Sequence, residues 1–211
     1  MKAFKLACTC AAIISLLISC NKVYYYYTTS YVQEYYLMNG INLKANSANT
    51  ITLYPSFDSS VSFQSTGEDK ELYESICELN GDTSYNSDIS LVLDIMTISC
   101  TYPDVASINI TSDKDFDEEH VAGTSLNECI NITFESAYQY IHSSYSEQAW
   151  REQTQTKPLS EITATELLLN TRFREFNFAS EPTTPGVHTI TITLITNEGQ
   201  EFTDSVEVEF N

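Results

Sequence analysis

The stretch Val187-His188-Thr189-Ile190-Thr191-Ile192-Thr193-Leu194-Ile195-Thr196, followed by Asn197-Glu198-Gly199 and then residues 201–210, decides the fold class. Ile190, Ile192 and Leu194 fall on one side of an extended chain and threonines on the other, the two-residue period of a half-buried strand. Asn197-Glu198-Gly199 is a tight-turn signal. The return run places Phe202, Val206, Val208 and Phe210 on one face, with Asp204 as the exception. Two long alternating strands joined by a short turn make a hairpin that must lay its apolar face on something else.

Working outward, Arg172-Phe173-Arg174-Glu175-Phe176-Asn177-Phe178 reads as another strand, and Pro182, Pro185 and Gly186 as a turn. Residues 50–54, 60–63 and 105–111 alternate in the same way, and residues 90–100 are dense in Ile, Leu and Val. Residues 68–79 (EDKELYESICEL) place Leu72, Ile76 and Leu79 at helical spacing, and Asn80-Gly81 ends the run. Short helices are expected near 137–145 and over 160–170, the latter capped by Ser160 with Leu167 and Leu168 facing in. Residues 147–158 read as an exposed loop. The fold expected is mainly β with a few short helices: an immunoglobulin-like β-sandwich with helical insertions. Residues 31–211 make a single β-rich domain in the simplest account, with a split near residue 100 as the alternative.

The N-terminus carries an address. Lys2 and Lys5 precede an apolar run over residues 6–18, broken by Thr9 and Ser15 and too short to span a bilayer. The run ends in Leu17-Ile18-Ser19-Cys20, which resembles the lipobox of bacterial lipoproteins. That resemblance implies a signal peptide over 1–19, cleavage before Cys20, acylation of its thiol, and a tether over 20–30. The partner it implies is a membrane, reached through the lipid. Removing residues 1–19 takes away two lysines and no acid, so the mature chain is more negative than the full chain's −19. Nucleic acid is excluded as a partner, because phosphate recognition needs clustered Lys and Arg. Of the cysteines after Cys20, Cys77, Cys100 and Cys129 are an odd three, so one internal pair at most forms, and small buried thiols are the simpler reading.

The chain also resembles small uncharacterised lipoproteins of gut Bacteroidota. The resemblance rests on the lipobox, on Cys100-Thr101-Tyr102-Pro103 leading into Ile108-Asn109-Ile110-Thr111, on residues 115–127, and on the hairpin from Pro185-Gly186 to Phe210. It implies an exported β-rich domain and assigns no catalytic or binding residue. Surface-exported lipoproteins of that phylum carry acidic residues just after the lipidated Cys. Here Asn21-Lys22-Val23-Tyr24 follow, and the first acid is Glu34. The expected location is therefore the outer membrane, facing the periplasm.

Two stretches carry candidate sites. Asp113, Asp115, Asp117 and Glu119 alternate as oxygen ligands for Ca²⁺ would, and the first three match the opening of an EF-hand loop. Glu118 then stands where that loop needs glycine, and Thr124 where it needs a bidentate glutamate, so a looser Ca²⁺ site or a solvated acidic loop is the expectation. Trp150 lies in a polar stretch beside Tyr138, Tyr140 and Tyr145, which suits stacking on sugar rings, although a tryptophan packs in a core by default. A zinc set from Glu119 and His120 with His142 and His188 lacks any ligand spacing. Cys129 with His142 can be drawn as a nucleophile and base, and Asp204-Ser205-Val206 matches a short O-glycosylation sequon of Bacteroidota. No catalytic motif is present. The function expected is a non-enzymatic envelope binding or structural module; the alternatives are a glycan-binding or fimbria-like surface module, and a hydrolase using carboxylates.

Overall fold

The computed structural model describes residues 29–47, 49–85 and 98–211, with the backbone alone for residues 172–174. The leader, Cys20, the tyrosine run at 24–27 and most of the 90–100 stretch lie outside the described residues. The strands are β1 (Val32–Ser47), β2 (Thr50–Ser62), β3 (Ile98–Tyr102), β4 (Val105–Ser112), β5 (Ile130–Ser136), β6 (Thr154–Pro158), β7 (Asn170–Phe178), β8 (Gly186–Thr196) and β9 (Glu201–Phe210). The helices are α1 (Glu68–Leu79), α2 (Tyr138–His142) and α3 (Glu147–Arg151). Six strands form one sheet in the order β3-β1-β2-β7-β5-β6, and three form a second, β4-β8-β9. All neighbours run antiparallel except β1 and β3. The chain is thus mainly β with a few short helices, arranged as a two-sheet sandwich. Strands from both sides of residue 100 share the larger sheet.

The hairpin behaves as its alternation requires. Ile190 pairs with Val206 and Leu194 with Phe202. Ile190, Ile192 and Leu194 are fully buried, and they meet Ile110 of β4, Ile51 of β2, Ile132 of β5 and Phe176 of β7 in one core between the sheets. Each such side chain contributes about 1.5–3 kcal/mol by leaving water. Asp204, the break in the pattern, also has a structural use. Its Oδ2 accepts the Leu43 backbone N–H at 2.7 Å, joining β9 of the small sheet to β1 of the large one.

A second cluster lies where α1 and α2 cover one end of the large sheet. α1 has Glu68, Asp69 and Glu71 in its first turn, where acids offset the helix dipole. Its inward stripe is Tyr73, Ile76 and Cys77. This corrects the expected face, because Leu72 and Leu79 are exposed. The true stripe follows the same i, i+3, i+4 spacing, but is carried by a tyrosine and a cysteine that look half-polar in sequence.

Two further expectations are corrected. Residues 160–170 form no α-helix: two 3₁₀ turns, Leu159–Glu161 and Ala164–Leu167, are separated by extended backbone. The cap is Thr163, in a capping box with Glu166, rather than Ser160. Lys157 also holds the Glu166 carboxylate, at 2.8 and 3.0 Å. The segment ends with Leu169 at φ 50°, its N–H held by the buried Asp104 carboxylate at 2.6 Å. Leu167 and Leu169, not Leu168, are the buried pair. Residues 147–158 are α3 and β6 rather than a loop. β6 is a polar edge strand on β5, and threonine, glutamine and lysine on a sheet edge blunt pairing with other chains while leaving little apolar signal.

Candidate functional site

A cleft of about 510 Å³ opens where α3 meets the edge of the large sheet. It is lined by Tyr31 and Tyr36 from the start of β1, Ile98 and Ser99 of β3, Glu135 of β5, Trp150 and Arg151 of α3, Gln153 and Thr154 around β6, and Thr171 of β7. That volume lies in the range of small-molecule sites. Trp150 is 43 % exposed, so the tryptophan does not take the core position it adopts by default.

Local structure explains why Trp150 is offered. Ser146 caps α3 by accepting the Ala149 N–H at 3.3 Å, and its carbonyl accepts the Trp150 N–H at 3.1 Å. Ala149 packs inward against the second cluster, which turns the adjacent indole outward. Arg151 is paired with Glu147 on the same short helix. The floor is firmer. The Gln153 carbonyl accepts the Ser136 N–H at 3.0 Å, and its side-chain amide donates to the Tyr31 hydroxyl at 3.2 Å. Tyr31 packs edge-on against Tyr140 and Tyr85, with ring centres 4.5 and 5.2 Å away. On the opposite side Tyr36 stacks on Phe57 at 4.7 Å.

The electrostatics suit a neutral, polar ligand. Burial pushes the Tyr31 phenol above its ordinary value, and the Glu34 carboxylate does the same to Tyr36, so both stay protonated across the physiological range. The lining offers phenols, hydroxyls, a primary amide, one carboxylate, one guanidinium and an indole face. Glu135 is the one carboxylate among the described lining residues. A second carboxylate, Glu34, borders the lining, where it accepts the Ser99 hydroxyl at 3.5 Å.

The tyrosines expected beside Trp150 support the cleft rather than line it. Tyr140 and Tyr145 pack on one another at 5.5 Å, behind Tyr31 and Tyr85. The Tyr145 hydroxyl donates to Asp82 at 3.0 Å, and Tyr138 stacks on His142 at 3.9 Å. Sequence reasoning missed Tyr31, Tyr36, Glu135 and Gln153, which come from three separate segments. The polar alternation of residues 154–157 was the signal that could have placed Gln153 and Thr154 at a sheet edge.

The acidic segment does not gather its four carboxylates. Asp113 accepts the Thr189 N–H at 2.7 Å and its hydroxyl at 3.0 Å. Asp115 accepts the Ala122 N–H at 2.8 Å. Asp117 accepts the N–H groups of Glu119 and His120 at 2.9 and 2.8 Å, and a ring nitrogen of His120 lies 2.8 Å away. Asp113, Asp115 and Asp117 thus bond separate backbone partners, and hydrogen bonds hold Asp113 and Asp117 below the usual range, against the upward pull of what burial they have. Among the described residues Asp113, Asp115, Asp117 and Glu119 do not form one group of close donor atoms, so their placement adds no support to the looser Ca²⁺ reading over the solvated acidic loop. The histidines are likewise apart. His188 is fully buried, bonded to Ser112 and the Thr184 carbonyl, and His142 is exposed on α2. Cys129 lies beside His120 rather than His142. Cys77, Cys100 and Cys129 are all buried free thiols. Ser205 of the sequon is exposed on β9, its hydroxyl bonded to Thr191.

No protein-family model matches the chain, and no curated protein or solved structure is detectably similar to it. Among the described residues no helix is long and apolar enough to cross a membrane.

Proposed function

We propose that this chain is a lipid-anchored binding module of the cell envelope, held at Cys20 to the outer membrane and facing the periplasm, whose cleft at Trp150 takes a neutral saccharide. The observation that carries the reading is the exposed indole on the wall of a polar cleft of saccharide size. A sugar ring presents an apolar face to an aromatic side chain and a rim of hydroxyls to amides, phenols and carboxylates, and the cleft supplies both kinds of surface. A chain with net charge −19 disfavours acidic polymers, which argues for neutral sugars.

Trp150 is the single tryptophan in the chain, so its fluorescence reports on the cleft directly. Titration with neutral oligosaccharides, including N-acetylated disaccharides, should give a saturable change in emission. Calorimetry should show the affinity falling about tenfold or more in Trp150→Ala, since one stacked aromatic is worth of order 1 kcal/mol or more. Absence of binding by every neutral glycan at millimolar concentration would defeat the saccharide reading. The anchor is tested separately: mass spectrometry of the mature N-terminus should find acylated Cys20. Protease added to intact cells should leave the body untouched until the outer membrane is opened.

A further inference from the structure

We propose that Asp117, His120 and Cys129 form a binding site for one thiophilic divalent cation of the zinc class. Among the described residues these are the three side chains of ligating type whose donor atoms all lie within 4.8 Å of one another. They come from two rigid pieces of backbone. The Asp117–His120 turn is closed by the Asp117 carboxylate on two N–H groups, and it is pinned by Phe116, whose N–H donates to the His120 carbonyl at 2.8 Å. Phe116 itself is fully buried. Cys129 ends a 3₁₀ turn in which its N–H donates to the Leu126 carbonyl at 2.8 Å, and its own carbonyl accepts from Ala179 at 2.8 Å.

The separations leave the thiol without a good hydrogen bond to the ring, and a rotation of the imidazole that turns Nδ1 towards the sulfur would gather the three donors around one ion. The Cys129 sulfur is 3.6 Å from Nδ1 and 3.7 Å from Nε2 of His120. Near-equal distances place the sulfur off the lone-pair axis of either nitrogen, so the thiol has no well-aligned acceptor in the ring. Sulfur and nitrogen bound to one tetrahedral Zn²⁺, at about 2.3 and 2.0–2.1 Å, stand about 3.6 Å apart. The Asp117 oxygen and Nδ1, now 2.8 Å apart in a hydrogen bond, would open by about half an ångström as a cation replaces the shared proton. In that exchange the imidazole proton moves to Nε2, the thiol proton leaves to solvent, and a sulfur–metal bond forms. The thiolate and Asp117 then carry two negative charges, which match one divalent ion. Three protein donors leave the fourth tetrahedral position to water.

The donor set also selects the ion. A thiolate and an imidazole favour Zn²⁺ and its neighbours over Ca²⁺, which takes oxygen alone.

The test is a titration of the chelator-treated full chain with Zn²⁺ against a chromophoric chelator, and with Co²⁺ as a spectroscopic probe. The expected result is one ion per chain and a near-ultraviolet thiolate-to-cobalt charge-transfer band. Cys129→Ser should abolish the band and weaken Zn²⁺ binding by about tenfold or more. The isosteric Asp117→Asn should weaken binding similarly while keeping the turn's hydrogen bonds to backbone. A Cys77→Ser, Cys100→Ser double variant, checked by circular dichroism, should retain both the band and the affinity. Absence of the charge-transfer band in the intact chain, or equal Zn²⁺ affinity in the intact chain, Cys129→Ser and Asp117→Asn, would overturn the assignment.

Discussion

The two hydrophobic clusters of this molecule are built on opposite principles. The core between the sheets is aliphatic and phenylalanine-rich: Ile51, Ile110, Ile132, Phe176, Ile190 and Ile192 are all sealed from solvent. The cluster beneath α1 and α2 uses Tyr31, Tyr35, Tyr73 and Tyr140 with Cys77 and Cys100. Buried polar groups run through the second. Asp82 is fully buried, and its two oxygens accept the Tyr31 and Val32 N–H groups, each at 2.8 Å. The Tyr73 hydroxyl donates to the Val32 carbonyl at 2.8 Å. The dry core needs only shape and water exclusion. The tyrosine cluster depends on hydrogen bonds made in register, and the Trp150 cleft is built against it.

The largest expected effect tests the dry core. Phe116 stacks on Phe178 with ring centres 5.6 Å apart and meets Phe210 edge-on at 5.8 Å. Phe116→Ala should cost about 3–5 kcal/mol, the range for an aromatic removed from a closed core, read by urea denaturation. Because Phe116 also pins the turn carrying Asp117 and His120, the same variant should lose metal affinity while the Trp150 cleft keeps its ligand. A loss below about 1 kcal/mol would mean that the three-ring contact adds little.

The tyrosine cluster should break through its acid. Asp82→Ala strands two buried N–H groups and the Tyr145 hydroxyl, and should cost about 3 kcal/mol. Asp82→Asn keeps one accepting oxygen and should cost about 1 kcal/mol. If alanine and asparagine cost the same, the carboxylate's hydrogen bonds are not what holds the start of β1 to the end of α1.

This contrast also explains what could be read from sequence. The alternation at 187–196 and 201–210 gave the hairpin and its inward face, because a strand on a dry core must segregate its residues by period two. The pattern at 68–79 gave the helix but misplaced its face, because a tyrosine–cysteine stripe is not apolar enough to stand out from Leu72 and Leu79. The run Glu166-Leu167-Leu168-Leu169 looked helical, yet Asp104, more than sixty residues earlier, fixes Leu169 in a left-handed conformation. No local pattern carries that contact. Trp150 could be singled out as a candidate because it sits among polar residues. Its partners Tyr31, Tyr36, Glu135 and Gln153 meet only through the pairing of β5 with β6 and β7 and of β1 with β3. The acidic segment was recognisable as a cluster, but its chemistry depends on which carboxylates the turns consume.

Asp104 sharpens the comparison through pH. It is buried, and that burial raises its carboxyl to about 6, against a downward pull from the Leu169 N–H. A carboxyl raised in the folded state binds its proton more tightly there than in the unfolded chain. Its stabilisation is complete below the ordinary value near 3.8 and is lost as pH rises through about 6. Stability should therefore rise by about 2 kcal/mol on going from pH 7.5 to 4.5. Asp82, also raised by burial, acts in the same direction. Asp113, Asp117 and Glu166 are lowered, so their stabilisation is lost only on acidification below that window. Chemical denaturation across the range should show the slope, and Asp104→Asn, which keeps an oxygen for Leu169, should flatten it. An unchanged slope in that variant would assign the effect to the chain's overall negative charge.

The smallest expected change in stability falls on the residue with the largest expected role in binding. Trp150 stands on a helix of five residues and leaves much of its ring in water, so truncating it uncovers little core. Trp150→Ala should alter unfolding free energy by less than about 0.5 kcal/mol, as exposed positions do, while removing the stacking face of the cleft. The wall behind it should behave differently. Tyr31→Phe keeps the ring against Tyr140 and removes the hydroxyl that Gln153 donates to, so it should reduce both stability and ligand affinity. A cleft whose outer wall can be cut away without unfolding, and whose inner wall cannot, is a binding surface mounted on the tyrosine cluster. If Trp150→Ala instead destabilises the protein as much as Asp82→Ala, the indole is a structural lid over that cluster, and the saccharide reading loses its main support.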